Sequence, residues 1–392
     1  MIWQVFVRFF TLGWVSFGGP AAHIGYFRYT FVEHLAWLDE RKFASLVALS
    51  QFLPGPGSSQ LGFAIGHHKA GVAGAIAAFI GFTLPSFLLL YLFATTSSLY
   101  WHLDWVQGGT HGLKLLAVVV VADAVLGLFK QFCGKLAARL IMLSATVVML
   151  LTAGLLAQML VLVAAAIAGI LVFNRQPSSE HLPTSQGSLA INGGWLGAFL
   201  LLLVMSLWQL SLNDNGLLSL FAQFYQAGSL VFGGGHVVLP LLENTVSHSL
   251  SQTSFLSGYA LAQAVPGPMF SLASYLGAEI LPQSSLMAAL VATSAIFLPG
   301  FLLLLGCIQA WHAISQRPRI AAAVAGLNAA VVGLVASTLY DPVFTSAVTN
   351  STEMSIVICG LALLRWRRPS IVLLVLGFSL LGAILKLTGS MS

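Results

Sequence analysis

A proline–glycine–proline triplet interrupts an otherwise apolar run at Pro54-Gly55-Pro56, within ASLVALSQFLPGPGSSQLGFAIG. The interruption recurs at Pro266-Gly267-Pro268, within ALAQAVPGPMFSLASYLG. Proline removes a backbone donor and clashes with the preceding helical turn, and glycine lowers helix stability. A helix is therefore expected to stop and restart at each triplet. The pieces flanking the first break are about ten residues each, roughly 15 Å of helix and half of a hydrocarbon core of about 30 Å. Composition makes the bilayer the relevant yardstick: 58% of the residues are hydrophobic and 7% are charged, against about 25% charged in soluble domains. In lipid, backbone groups freed by a break are tolerated only when buried in protein or lining a cavity. Corresponding broken helices in two halves of a chain are a pointer to a substrate site.

The rest of the chain arranges itself around these breaks. Residues 4–17 are apolar and stop at Phe17-Gly18-Gly19-Pro20, and a polar stretch follows from Arg28 to Lys42. Residues 43–66 carry the first triplet, and spans are expected at about 70–95, 112–130, 136–152 and 154–173. The polar segment 174–193 separates two halves, and another span covers about 194–212. The pattern then repeats. Phe9, Gly13, Phe17, Gly18 and Gly19 return as Phe224, Gly228, Phe232, Gly233 and Gly234 at an offset of 215, and the triplets match at 212. LPSFLLL from Leu84 returns as LPGFLLL from Leu298 at an offset of 214, shared by Gly112-Leu113 and Gly326-Leu327. Four blocks in one order are not easily chance.

Charge orients the repeats. With the N-terminus inside, both hairpins of the first half kept there and the spans alternating, the inside loops hold every Lys and Arg except Arg8, Lys114 and Lys386. That distribution fits the positive-inside rule, so the net charge of +5 reads as an orientation signal. No basic run with interleaved aromatics suggests nucleic acid. The span at 194–212 makes the halves start on opposite sides. The expectation is an all-α polytopic membrane protein of two inverted-topology repeats. Each has two broken re-entrant helical hairpins followed by about four transmembrane helices, with a linking helix between. The domains are 1–173, 174–215 and 216–392. The N-terminal apolar run lacks a charged leader region and a cleavage site, so it is expected to stay in the mature chain.

At each break the second half-helix presents unpaired N–H groups and the positive end of its dipole, which favours anions. At the first triplet the donors come from Gly57, Ser58, Ser59 and Gln60, with Gly55 allowing the turn; Gly267 is its counterpart. At the first hairpin they come from Gly18, Gly19, Ala21 and Ala22, with Ser16 and His23 nearby. Such donors suit a tetrahedral oxyanion, whose surface consists of acceptors. Ser58, Ser59 and Gln60 become Phe270, Ser271 and Leu272 in the second half, so the first half is expected to make more polar contacts. Plainer readings stand beside these: Gly18, Gly19, Gly233 and Gly234 serve helix packing, and the triplets serve as kinks. Arg8 lies either in an ion path or at the inner surface by snorkelling. Asp123 in mid-span calls for a functional role or a buried pair, and Lys114 for an ion path or an interfacial anchor. Glu279 either closes the end of its hairpin or carries protons.

Other chemistries find little support. Cys133, Cys307 and Cys359 are far apart and form no CxxC pair. His67-His68 lacks the carboxylate or cysteine company of a metal site. No GxSxG, HExxH or phosphate-binding loop is present, so neither an enzyme nor a cofactor is expected.

The FGGP segment, the PGP segment and their ordered repetition resemble the chromate ion transporter family in its long, two-domain form, over nearly the whole chain. The resemblance implies a multi-pass protein of the bacterial inner membrane that exports chromate, a sulfate-like dianion, and confers chromate resistance. Sulfate is the alternative substrate, the lipid bilayer the surrounding partner, and a homodimer one arrangement open to such a chain. The sequence departs from the pattern with FGGG at Phe232 to Gly235, where His236 supplies a donor.

Overall fold

A computed structural model describes the chain except at residues 18, 101–102, 153, 174–190, 212–215, 232–237, 247–248, 312–316, 368 and 389–392. Every regular element among the described residues is helical. The first half holds α1 (Ile2–Val15), α2 (Gly19–Arg28, continued by a π-helical turn Tyr29–His34), α3 (Glu40–Phe52), α4 (Gly57–Tyr100), α5 (Asp104–Phe132), α6 (Leu136–Leu151) and α7 (Leu155–Phe173). After α8 (Gly193–Ser211) come α9 (Leu217–Ser229), α10 (Val238–Val246), α11 (Gln252–Ala264), α12 (Leu272–Ile280), α13 (Ser285–Cys307), α14 (Pro318–Thr338), α15 (Ser351–Arg367) and α16 (Ile371–Leu387).

Helix α4 is two helices in one run. Its backbone leaves helical geometry at Ala70 and Gly71, and a Cβ on Gly66 would lie 2.7 Å from the Cβ of Ala78. Twelve residues of straight helix would separate those positions by roughly 18 Å. Residues 57–69 therefore fold back on 72–100, as α12 folds back on α13. Counted this way, the order of elements in the first half recurs in the second.

Local chemistry explains the ends. Asp39 caps α3 by accepting from the Lys42 amide at 2.7 Å, and Ser251 caps α11 by accepting from Ser254 at 3.1 Å. Both helices stop before a proline. Leu53 (φ −76°, ψ 147°) and Val265 (φ −82°, ψ 138°) are extended, because a following proline ring disfavours the helical conformation.

Among the described residues, five helical runs are long and apolar enough to cross a membrane: Gly57–Thr96, Asp104–Phe132, Leu156–Phe173, Pro282–Cys307 and Pro318–Ala347. Shorter apolar helices include Ile2–Val15, Leu136–Leu151, Gly193–Gln209 and Ile371–Leu387. Leu140, Leu143, Leu160, Val163, Leu201 and Leu376 expose their side chains along α6, α7, α8 and α16. Apolar surface of that extent, in a chain with helices long enough to span, marks contact with a membrane. The chain is a multi-pass, all-α membrane protein.

The halves interlock through small residues. Gly108 and Gly112 of α5 let α16 approach at Gly382, and Gly326 of α14 lets α7 approach at Ala165 and Gly169. Backbones this close gain packing contact that lipid cannot supply. Between the halves, the rings of Phe63 and Phe301 stack with centroids 4.1 Å apart.

Candidate functional site

The first break lies between α1 and α2. Ser16 closes α1 through its amide on Leu12 O (2.9 Å), and its side chain is fully buried. A Cβ on Gly19, where α2 begins, would meet nothing within 4 Å. One turn on, His23 is 1% exposed. Its Nε2 is 3.3 Å from Ser16 O and its Nδ1 is 3.2 Å from Ser58 Oγ. A carbonyl only accepts, so Nε2 carries the hydrogen; in the neutral ring Nδ1 accepts from the Ser58 hydroxyl. Protonation of the ring would make Nδ1 a donor and release the Ser58 hydrogen toward an acceptor. The Phe82 ring meets the imidazole edge-on at 5.2 Å and shields it.

Ser58 and Ser59 lie in the first turn after Pro54-Gly55-Pro56. The Gln60 amide is bonded to Pro56 O at 2.9 Å, so the amides of Gly57, Ser58 and Ser59 precede the helical ladder. Ser58 and Ser59 are buried, at 5% and 4% exposure. Among the described residues the hydroxyls of Ser16, Ser59 and Thr83 have no hydrogen-bond partner. Buried polar groups are normally paired, and each one left alone costs about 1–3 kcal/mol. Ser16 and Ser59 adjoin the His23–Ser58 pair, and Thr83 follows Phe82, whose ring meets His23. Unpaired donors here leave a place for a partner rich in acceptors. No carboxylate takes part in these contacts.

The two triplets cross over to the opposite halves. The Gly267 amide donates to Ser16 O at 2.9 Å, and the Gly55 amide donates to Val231 O at 2.7 Å. Ser16 and Val231 stand at the repeat offset of 215. Gly55 (φ +125°) and Gly267 (φ +104°) adopt backbone angles that side-chain-bearing residues avoid. A Cβ on Gly55 would lie 2.9 Å from Gly300 Cα, and one on Gly267 would lie 3.0 Å from Ser86 Oγ. Ser86, which also pairs with Ser271 at 2.7 Å, and Gly300 sit well inside the long spans. The breaks therefore meet away from both ends of these helices.

The structure thus brings together His23, Ser58, Ser59 and Gly267, with Gly19, Gly55 and Gly57 shaping the backbone. It directs Gln60 elsewhere. The Gln60 amide is committed to Pro56, and its Nε2 donates to Pro54 O (2.8 Å) and Gly300 O (3.1 Å). Gln60 thus ties the first triplet to α13 through Nε2, while its buried Oε1 has no partner among the described residues. A Cβ on Gly57 would point at Ser50 O, 3.1 Å away, so this glycine seats the hairpin. Gly18, Gly233, Gly234 and His236 lie outside the described residues. Arg8 is on the exposed face of α1, away from buried Val5, Phe9 and Leu12. Lys114 reaches Thr253 Oγ1 (3.3 Å) and Ser346 O (3.4 Å), and Asp123 pairs with Arg365 at 3.3 Å. None of these three makes a contact in the cluster. Glu279 accepts from Ser254 at 3.1 Å and closes its hairpin. Thr83 was not singled out from the sequence. The repeated LPSF/LPGF block marks its segment, but nothing marks the threonine.

A family model described as "Chromate transporter" matches residues 3–170 and again 218–383. The chain is 29% identical to a chromate transport protein of Pseudomonas aeruginosa, over 97% of this chain and 91% of that one. It is 27% identical to a chromate transport protein of Cupriavidus metallidurans, over 97% and 92%. A probable chromate transport protein of Synechococcus elongatus is 26% identical over 85% and 82%. No solved structure matches the chain.

Proposed function

The chain belongs to the chromate transporter family, and from that premise we propose that it is a secondary transporter, not an enzyme, which exports chromate and confers resistance to it. The dianion is held where the broken helices meet, near mid-membrane, by Ser16, Ser59 and the first-turn amides of α4, with the His23–Ser58 pair positioned beside them. One observation carries this reading: the buried hydroxyls of Ser16 and Ser59, unpartnered among the described residues, on residues that adjoin the His23–Ser58 pair. A tetrahedral oxyanion offers acceptors in several directions and would satisfy these donors together. The names of the relatives and the double family match support chromate and a division into repeats 1–173 and 216–392 with a linker at 174–215. The loop charges support inverted repeats and a cytoplasmic N-terminus in the inner membrane.

Export is the direction the field favours. Moving one elementary charge across 100 mV is worth about 2.3 kcal/mol, so outward movement of a dianion from a negative interior gains about 4.6 kcal/mol. A tenfold concentration step costs about 1.4 kcal/mol, so the potential alone sustains a gradient of about three decades. Inside-out vesicles should accumulate chromate when a potassium/valinomycin potential makes the lumen positive, with the pH gradient collapsed. Accumulation of sulfate in place of chromate would select the alternative substrate. Accumulation that follows only a pH gradient would replace electrogenic export by proton exchange, and accumulation of neither anion would reject the reading.

A further inference from the structure

A cavity of about 470 Å³ opens beside α3, lined by Lys42, Ser45, His67, His68, Gln309 and Trp311. Lys42, Ser45 and Leu49 follow one another at helical spacing on one face of α3, which ends at Phe52 just before the first triplet. The rings of Phe52 and Trp311 meet edge-on with centroids 5.1 Å apart, so an aromatic pair forms the floor toward the break. From Lys42 to Phe52 the helix rises about 15 Å.

The lining is mixed: Leu46, Leu49, Ile308 and Trp311 form apolar walls, and its polar groups share one character. Lys42 supplies a basic group, and Ser45, His67, His68 and Gln309 supply hydrogen-bond donors; none of the described lining residues is a carboxylate. Of the nearby acids, Asp39 lies within electrostatic reach of His68, where Lys42 opposes it, and the other two are paired. Asp39 accepts from the Lys42 backbone amide at 2.7 Å, and Glu33 and Glu40 both hold Arg28. Lys69 sits over the Trp37 ring, 4.8 Å from its centroid.

The corresponding positions of the second half are built the other way. At the triplet offset of 212, Lys42, His67 and His68 become Ser254, Glu279 and Ile280. There Ser254 donates to Glu279 at 3.1 Å, which ties the hairpin shut.

We infer that the Lys42 cavity is a vestibule that captures a small oxyanion dianion before it passes Phe52 and Trp311 to the break. This rests on the oxyanion-transporter reading above and adds a capture site on the face that carries the Arg28–Lys42 segment.

The test is chromate transport by the full-length protein in inside-out vesicles of zwitterionic lipid, with initial rates measured against chromate concentration at low and high salt. Lys42→Gln should raise KM about three- to fivefold at low salt, the scale of one partly screened charge, and leave Vmax within about twofold. The KM of the wild type should rise with salt and that of the variant should not. His67→Gln with His68→Gln should raise KM in the same direction. Arg41→Gln removes a charge from the neighbouring position, which does not line the cavity, and should leave KM alone. Equal effects of Arg41→Gln and Lys42→Gln would reduce the cavity to general surface charge and overturn the proposal, as would an unchanged KM in Lys42→Gln. An effect of Lys42→Gln seen only when anionic lipid is added would assign the cavity to lipid headgroups and overturn it too. Failure here stays distinct from failure of the central site: Ser59→Ala would still weaken chromate binding while Lys42→Gln did nothing. Vesicles that move neither chromate nor sulfate would reject the transporter reading and this vestibule with it.

Discussion

Ser59→Ala separates a side chain kept for a ligand from one kept for the fold. The Ser59 hydroxyl is buried, at 4% exposure, and has no partner among the described residues. Removing it breaks no bond within the protein and relieves an unpaired group that costs about 1–3 kcal/mol. The ligand-free variant should therefore be as stable as the wild type or more so. Chromate binding should suffer, because a hydrogen bond to a charged partner is worth about 1.5–3 kcal/mol. At about 1.4 kcal/mol per decade, Kd should rise roughly 10- to 150-fold.

Ser58→Ala provides the contrast. It removes the partner of His23 Nδ1 and leaves a buried ring nitrogen alone, so it should lose stability as well as affinity. Both properties can be read on purified protein, by equilibrium dialysis of chromate and by melting with and without ligand. At a chromate concentration of 100 times the wild-type Kd, the wild type should gain about 2.7 kcal/mol from binding. A variant with a 30-fold weaker Kd should gain about 0.9 kcal/mol. If Ser59→Ala binds chromate as the wild type does, the anion is not held at this turn. If it melts well below the wild type without ligand, the hydroxyl has a structural partner and the reasoning fails.

Thr83→Val keeps the shape of an unpartnered buried hydroxyl's side chain and should show the Ser59→Ala pattern, weaker chromate dialysis binding with no loss of melting temperature. Asp123 and Arg365 are about a third exposed, at 37% and 34%, so the pair is worth below about 1 kcal/mol. Asp123→Asn should keep the KM and the potential dependence of vesicle transport, and loss of the potential response would place Asp123 in the coupling path. Gly228→Val would drive a side chain into the Ile296 carbonyl and should abolish packing of α9 on α13, seen as loss of a monodisperse detergent-solubilised species. In a cysteine-free background, Ser179→Cys and Gln316→Cys should resist an impermeant thiol reagent in intact spheroplasts while Asn350→Cys reacts; labelling at position 316 would contradict the inverted arrangement.

Proline made the breaks legible, because its effect on the backbone is local and needs no knowledge of the rest of the chain. His23, Ser58 and Ser59 followed from the half-helix argument, which requires only that a helix restart near polar side chains. Thr83 did not follow. A threonine inside an apolar span normally bonds its own preceding turn, and only the structure shows that this one does not. Gln60 looked like a ligand donor by its place in the first turn, yet its side chain reaches Gly300, 240 residues away, a contact set by how the halves cross. The start of α5 was also hidden. Its first turns carry Gln107, Gly108, Gly109, Thr110 and His111, which read as loop until the close approach of α16 at Gly382 explains the glycines.

The crossed amide bonds join an approximately symmetric frame to an asymmetric site. Gly267 binds the first break of one half and Gly55 the corresponding break of the other, so neither triplet moves without disturbing the hairpin opposite. Two hairpins tied in this reciprocal way can exchange roles only if the two crossings shift together. The side chains around the crossings are nevertheless unequal. His23 and Ser58 lie at the Ser16–Gly267 crossing, while the Gly55 side is filled by Gln60, bonded to Pro54 and Gly300. Lys42 and the His67-His68 pair line a cavity in the first half, and the Ser254–Glu279 pair occupies the equivalent position in the second. Related conformations would come from the paired frame, and the preference for capturing an anion in one half from the residues that differ between its halves.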